Sequence, residues 1–245
     1  MPVGDYTGMA GYYDLIMTSG YYDYPAIVEA LEPCDEVDSV LEIGAGTGLI
    51  LHRLITRHPD LEVAGVDLTQ AMLDIARERL AGLPRVSLHH QDVVSMSLDR
   101  RFDMAFSYGG VWYFVHGDDG FTMISHIRDD EANAQGLRRV ADHVVSGGRL
   151  MLGVQAPHTD YRRPVADGLR YSQWITPIEG GFRKDYRLYR EPETPGESAV
   201  PLMAQVTDYR TYPQQDAFDL LDKAGFVPCD PVAEQVPLFL EFERR

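Results

Sequence analysis

The sequence has few cysteines, few lysines and no basic side chain in its amino-terminal fifth. Its 245 residues include 22 basic and 38 acidic side chains, a formal net charge of −16. The first Lys or Arg is Arg53, and Lys184 and Lys223 are the only lysines. The two cysteines, Cys34 and Cys229, provide neither a disulfide framework nor a metal-ligand spacing, so we predict no metal.

These absences exclude several classes of partner. Phosphate backbones and anionic membrane surfaces are bound by clustered Lys and Arg, so the acidic excess predicts no nucleic acid and no membrane partner. Secretory signals and transit peptides need basic residues near the amino terminus, which are missing before Arg53. No apolar run approaches the roughly 18–20 residues of a membrane span. We therefore expect a cytoplasmic protein.

Strands and helices alternate between residues 39 and 154. Buried strands are predicted from short apolar runs, and helices from apolar residues at helical spacing. This alternation predicts an α/β fold with a parallel sheet covered on both faces. The predicted strands are 39–43, 61–66, 86–89, 102–107 and 149–154, and the predicted helices are 26–32, 49–58, 69–80 and 136–145.

The alternation stops near residue 156. Two strand-like runs, 169–175 and 182–189, surround a glycine-rich turn and predict an antiparallel hairpin. Residues 192–201 are predicted as a loop. We expect a further strand at 205–211, a helix at 213–224 and a closing strand at 236–242. The predicted division of the single domain is a helical lid at 1–38, a core at 39–156, a β-rich insertion at 157–205 and completion of the sheet at 206–245.

The most specific motif is EIGAGTG at residues 42–48, between a predicted strand and a predicted helix. Glycines there let a ligand approach the backbone, although the spacing differs from the GxGxxG of dinucleotide sites. Asp67 ends the next strand and can accept hydrogen bonds from ribose hydroxyls. Asp92 follows the third strand and can accept one from an adenine amino group. Each feature alone also suits a tight turn or a surface acid; together they predict a nucleoside site.

The motif, followed by VDLTQAML at residues 66–73, resembles the class I S-adenosylmethionine-dependent methyltransferases. The similarity covers about residues 39–154 and a carboxyl-terminal segment around Tyr209 and 224–226. It implies a Rossmann-like, mostly parallel seven-stranded sheet with helices on both faces, plus an inserted antiparallel β lid. It also implies S-adenosylmethionine as cofactor.

The resemblance further implies roles for individual residues. Gly44 and Gly46 would approach the methionine portion and Asp67 the ribose, while Ser107 would face the amino acid end. Leu68 and Met72 would pack on the adenine, and Asp92 with Val93 would read its edge. The predicted cofactor-binding residues are Tyr13, Tyr21, Glu42, Gly44, Ala45, Gly46, Asp67, Leu68, Met72, Asp92, Val93 and Ser107.

Residues 11–16 (GYYDLI) resemble the lid helix of small-molecule methyltransferases, notably amino-sugar N-methyltransferases of antibiotic pathways. Those relatives often place a basic side chain near this helix to meet the cofactor carboxylate. Because this chain has none before Arg53, Tyr13 and Tyr21 are the candidates. The alternative is that these tyrosines pack as core or rim.

Methyl transfer needs no catalytic triad, because the cofactor supplies the electrophile and the protein positions the acceptor. A base helps to remove the acceptor proton. His116 and His158 follow the fourth and fifth predicted strands and are the candidate bases; either is also an ordinary loop histidine. The predicted substrate-binding residues are Tyr108, Trp112, Tyr113, Arg170 and Trp174. The aromatic ones equally suit a hydrophobic strand-to-helix connection.

The insertion carries an unusual charge. Residues 157–190 contain seven basic and four acidic side chains within a chain of net charge −16. They suit either a solvated strand face or a lid that faces an anionic substrate group. The hairpin could instead pair across a homodimer.

We predict a methyltransferase that acts on a nitrogen of a small metabolite in specialised, antibiotic-type biosynthesis. Transfer to oxygen or carbon, and a non-catalytic S-adenosylmethionine-binding protein, are the alternatives. A nicotinamide oxidoreductase is disfavoured by the glycine spacing and by Asp92.

Overall fold

The computed structural model describes residues 6–32, 37–190, 199, 201–229 and 236–245. Its helices are α1 (Ala10–Met17), α2 (Tyr24–Ala30), α3 (Leu49–Arg57), α4 (Gln70–Arg79), α5 (Asp130–Asp142) and α6 (Gln214–Ala224). Its strands are β1 (Ser39–Ile43), β2 (Glu62–Asp67), β3 (Val86–His90), β4 (Phe102–Ser107), β5 (Trp112–Gly117), β6 (Gly120–Ser125), β7 (Val144–Gln155), β8 (Tyr161–Pro164), β9 (Leu169–Ile178), β10 (Gly181–Arg190), β11 (Pro201–Pro213), β12 (Phe226–Pro228) and β13 (Phe239–Arg244).

The first sheet has the order β3-β2-β1-β4-β7-β13-β12. The first five strands in this order, β3, β2, β1, β4 and β7, pair in parallel, whereas β13 runs antiparallel to both β7 and β12. Every residue of β1 is buried, including Ser39 and Glu42, because both faces of the sheet are covered. The prediction of a Rossmann-like, mostly parallel seven-stranded sheet is confirmed.

Two cores pack on the opposite faces of this sheet. Leu51 and Leu54 of α3 belong to one core, and Leu137 of α5 and Leu221 of α6 belong to the other. All four are 0% exposed, so each contributes about 1.5–3 kcal/mol of hydrophobic stabilisation. The buried apolar side chains of these helices therefore hold the sheet between the two cores.

The second sheet is antiparallel, in the order β5-β6-β11-β10-β9-β8. The hairpin predicted from the glycine-rich turn is present as β9 and β10. The sheet also includes β5 and β6, which form a hairpin within a segment that suited a plain strand-to-helix connection. Strand β7 continues past its last pairing with β4, and there its Val154 pairs with Phe114 of β5. Strand β7 therefore belongs to both sheets. The second sheet thereby covers the carboxyl ends of the parallel strands.

The ends of several elements differ from the sequence prediction. Helix α5 begins at Asp130, not near Gly136, because the Asp129 carboxylate accepts a hydrogen bond from the Ala132 N–H at 2.7 Å and caps it. Strand β7 begins at Val144. The predicted loop at 192–201 lies mostly outside the described residues. No helix in the described ranges is long and apolar enough to cross a membrane.

Candidate functional site

The glycine motif forms a tight turn between β1 and α3. Gly44, Gly46 and Gly48 have φ angles of 78°, 54° and 74°, which only glycine adopts without strain. A Cβ on Gly44 would lie 2.9 Å from Gly110 Cα. Two backbone segments therefore meet here at a distance that excludes a side chain, and they form one end of a cavity.

Asp67 ends β2 beside this turn. Its Oδ2 accepts a hydrogen bond from the Gly46 N–H at 2.8 Å, and its Oδ1 accepts one from the Thr69 N–H at 2.7 Å. Burial raises the pKa of Asp67, and the hydrogen bonds from Thr69 and Gly46 oppose that rise. Each carboxylate oxygen keeps further acceptor capacity for a ligand hydroxyl.

Asp92 follows β3, and its Oδ1 accepts a hydrogen bond from the Val94 N–H at 2.9 Å. The Asp92 side chain lines the same cavity as Asp67, with Leu68, Met72 and Val93 beside it. This wall offers two carboxylates together with apolar surface. It can hold a ribose diol and a flat base.

The cavity lies between the strand ends, α1 and the second sheet. Residues of both walls line it, so a ligand bound there touches the cofactor side and the second sheet at once. The predicted cofactor-binding residues that line it are Tyr13, Tyr21, Gly44, Gly46, Asp67, Leu68, Met72, Asp92 and Val93.

Three other predicted cofactor residues lie behind the wall. Glu42 is 3% exposed, and burial together with Asp67 raises its pKa well above the usual range. Ser107 is buried, with its hydroxyl close to Gly110. Ala45 packs close to Gly65.

Helix α1 closes one side of the cavity. Its Asp14 carboxylate accepts a hydrogen bond from the Thr47 hydroxyl at 2.6 Å and forms an ion pair with Arg79. Arg79 also donates to the Thr47 carbonyl at 2.9 Å. A basic residue of α4 therefore anchors a lid that has no basic residue of its own.

The second sheet supplies the opposite wall of the cavity. Tyr209 Oη lies 2.9 Å from Tyr6 Oη and 2.7 Å from Tyr186 Oη, which gives a chain of phenol hydroxyls. The His126 ring lies 4.7 Å from the Tyr209 ring. Burial, and then the nearby charge of Lys184, lower the pKa of His126 to about 3, so its imidazole is neutral.

A second polar chain lies in the same wall. His158 Nε2 is 2.9 Å from Tyr113 Oη, and His158 Nδ1 is 3.0 Å from Lys184 Nζ. Burial lowers the pKa of Lys184 to about 7. Burial, Lys184 and His126 lower the pKa of His158 to about 2. Tyr113 and Lys184 line the cavity, while His158 lines a more open outer cleft beside it.

The other predicted catalytic and substrate residues are dispersed. His116 packs 4.8 Å from the Phe121 ring, outside the cavity lining. Tyr108 lines the outer cleft, and Trp112 is buried with its indole N–H donating to Asn133 Oδ1 at 2.7 Å. Trp174 is 49% exposed. Arg170 lines neither of these two cavities.

The positive charge of the insertion is partly neutralised within its sheet. Arg183 pairs with Asp208 across β10 and β11, and Arg187 pairs with Asp185. Arg163 lines the outer cleft, with its guanidinium 5.5 Å from the centre of the Tyr21 ring. The paired arginines fit a solvated strand face, whereas Arg163 lines the outer cleft and Lys184 lines the cavity.

Sequence reasoning did not identify several residues of the cavity wall. A signal was present in β10, where Arg183, Asp185 and Arg187 alternate with buried residues. The first of these buried residues is Lys184. A lysine at an inward position of such an alternation indicates a buried amine. The missed cavity-lining residues include Tyr6, His126, Lys184, Tyr186 and Tyr209.

Comparisons with known proteins agree with this geometry. Residues 40–148 match the family model described as a methyltransferase domain. A malonyl-[acyl-carrier protein] O-methyltransferase of Ilyobacter polytropus is 26% identical over 89 residues, 36% of this chain and 32% of its own length. The match thus spans about a third of that relative.

Solved structures extend the similarity of the fold to nearly the whole chain. The sugar N-methyltransferase KedS8 of a Streptoalloteichus species has a TM-score of 0.71 at 22% identity, with 95% of this chain and 92% of that chain covered. Streptomyces venezuelae DesVI has a TM-score of 0.75 at 20% identity, with 96% and 98% covered.

Proposed function

We infer that this chain, whose residues 40–148 match a methyltransferase domain, is an S-adenosylmethionine-dependent methyltransferase that acts on a nitrogen atom of a small metabolite. S-adenosylmethionine, when bound, supplies a methyl group activated on a sulfonium centre. Asp67 is suited to hold the ribose, Asp92 the adenine, and the turn at Gly44 and Gly46 the methionine portion. The residues present therefore fit this cofactor.

The composition of the opposite wall is the observation that supports nitrogen. When an amine is methylated, positive charge passes from sulfur to nitrogen, and aromatic faces stabilise cations. The rings of Tyr113, Tyr186 and Tyr209 line the cavity together with the neutral imidazole of His126. The described acidic residues of the lining, Asp67 and Asp92, both belong to the cofactor side.

The chain's own residues have limited tasks in such a reaction. The phenol hydroxyls and the His126 imidazole can orient an acceptor by hydrogen bonds. The second sheet and α1 exclude water from the cavity, which strengthens those polar interactions. Structural neighbours that are named as a sugar N-methyltransferase and an amino pentose methyltransferase make an amino sugar our first choice of acceptor.

The test is a methyl-transfer assay with S-adenosylmethionine carrying carbon-13 in its methyl group. The acceptor panel contains free and nucleotide-linked amino sugars, aromatic amines, phenols and carboxylic acids. Carbon NMR of the product separates N-methyl from O-methyl and C-methyl groups. We expect N-methyl product from an amino sugar. Exclusively O- or C-methyl product refutes the nitrogen assignment, and cofactor binding without any turnover supports a non-catalytic binding protein.

A matched pair of variants tests whether the described cavity is the reaction site. Tyr113→Phe removes a hydroxyl from the cavity wall, so we expect a drop in turnover of about tenfold or more. Trp174→Ala removes an exposed ring outside the cavity and should leave turnover unchanged. Equal effects of the two substitutions contradict this location.

A further inference from the structure

Lys184 is a buried lysine of the cavity wall. It lies on β10 and is 2% exposed. In the described part of the chain no carboxylate forms a salt bridge with it. Its polar contact is His158 Nδ1, and its Nζ lies 5.4 Å from the Tyr209 ring centre and 5.7 Å from that of Tyr186. A buried ammonium without a counter-ion is costly, so the environment of Lys184 favours the neutral amine.

The groups around Lys184 also favour its neutral form, because none of the described ones supplies a negative charge at neutral pH. Burial raises the pKa values of the tyrosines, which therefore stay uncharged, and lowers those of the histidines. The titratable groups that face this part of the wall are Tyr6, Tyr113, His126, His158, Tyr186 and Tyr209.

We propose that Lys184 is the proton acceptor of the methyl-transfer reaction, an inference that rests on the proposed function. As the acceptor nitrogen bonds to the methyl carbon, the carbon–sulfur bond of the sulfonium donor breaks and its electron pair stays on sulfur. The proton of the resulting N–H⁺ group passes to the lone pair of Lys184 Nζ. The products are the methylated amine, the thioether and a protonated Lys184.

Lys184 suits this task better than the chain's other basic groups for three reasons. A sulfonium donor and an ammonium product bring positive charge into the cavity, and such charge favours a lysine that enters the reaction neutral. His158 contacts Tyr113 and Lys184 through its two ring nitrogens, so it is a positioning residue that holds Nζ at the wall. The chain's other basic residues are almost all arginines, which cannot lose their charge.

The first test needs no acceptor and uses the full-length protein labelled in its lysines. Since Lys184 and Lys223 are the only lysines, two side-chain signals report every lysine in NMR. Lys223, exposed at the end of α6, is the internal reference. We expect Lys184 to titrate several pH units below Lys223. Titration of both at the ordinary value overturns the proposal.

Two cofactor analogues then locate the charge. S-adenosylhomocysteine has a neutral sulfur, whereas sinefungin has an amine where the sulfonium methyl would be. If Nζ shares the cavity with the reacting centre, sinefungin should lower the titration midpoint of Lys184 further than S-adenosylhomocysteine does. Equal midpoints with both analogues overturn the proposal.

The second test compares Lys184→Met, Lys184→Arg and the control Lys223→Met on an amine of the panel that turns over. We expect both Lys184 variants to lose about 100-fold or more in kcat while S-adenosylhomocysteine affinity is retained, because neither side chain can accept the proton. The control should match the wild type. If Lys184→Arg stays active, Lys184 instead anchors an anionic substrate group as a cation, and the proposal fails.

The pH profile separates proton transfer from a structural role. Wild-type kcat/KM should rise with pH along a limb that both Lys184 variants lack. That limb should keep its midpoint for two amines of different basicity. A midpoint that follows the amine assigns the limb to the substrate and overturns the proposal. If no amine turns over, the proposed function fails as well, whereas normal titration of Lys184 refutes the proton-acceptor role alone.

Discussion

Replacing Lys184 with Met should change the pH dependence of folding stability. Burial lowers the pKa of this lysine from 10.5 to about 7 in the folded chain. The unfolded chain keeps the lysine protonated until about pH 10.5. Between these values the unfolded state binds one proton more than the folded state, so the free energy of unfolding of the wild type rises with pH.

The size of this effect follows from the two pKa values. Each unit of difference is worth about 1.4 kcal/mol, so the interval from about 7 to 10.5 gives an upper value of about 5 kcal/mol. Met has similar volume and no proton, and its stability lacks this contribution. Lys184→Met should therefore exceed the wild type in stability most strongly below about pH 7, and the difference should shrink as the pH rises.

Urea unfolding at a series of pH values measures the effect. The difference between wild type and Lys184→Met cancels the titration of all other groups, to the extent that they are independent of this site. Lys223→Met, on the surface, should show a difference from the wild type that is flat with pH. A flat difference for Lys184→Met as well would refute the assignment of a buried lysine with a low pKa.

Three further variants, two of them paired with a control substitution, test other parts of the molecule. Asp67→Asn should lower the affinity for S-adenosylhomocysteine in calorimetry by about 1.5–3 kcal/mol, roughly 10- to 150-fold, while the surface change Asp60→Asn should not. Gly110→Ala would place a Cβ 2.5 Å from a backbone oxygen and should lower the thermal midpoint by several degrees. Gly11→Ala has open space within α1 and should raise it. Trp112→Phe should destabilise the core by about 1–3 kcal/mol in urea and leave cofactor affinity unchanged, because its indole is buried away from the cavity.

The cofactor half of the fold was predictable because its signals are local. The apolar run at residues 39–43, the glycine motif and Asp67 lie within 30 residues of one another, and strand, turn and helix follow in sequence order. The helix end at Gly225, with a φ of 96°, has an equally local signal.

The second sheet could not be predicted in full because its pairings are distant in sequence. Strand β6 pairs with β11, so Ser125 lies opposite Arg210. An apolar run such as the one in β5 gives no information about a partner so far along the chain. Tyr6, His126 and Tyr209 meet only once this sheet has formed, so no spacing in the sequence brings them together.

The choice of lysine at position 184 is a different case. The sequence shows that lysine is rare compared with arginine in this chain, but this rarity alone has no mechanistic meaning. Burial supplies that meaning, because a lysine can become neutral in an apolar wall whereas an arginine cannot. The amino acid type and its position in the sheet had to be considered together.

The continuity of β7 has a mechanical consequence. One unbroken strand is hydrogen-bonded to β4 on the cofactor side and to β5 on the acceptor side, so the separation of the two walls there is set by strand geometry, at about 3.3 Å per residue. Because β7 is continuous, no hinge between the two sheets at this strand can adjust that spacing. In such a molecule a change of acceptor preference is expected to come from exchanging side chains of the second sheet, such as Tyr113, Lys184 and Tyr209, because the spacing between the two walls at β7 is fixed.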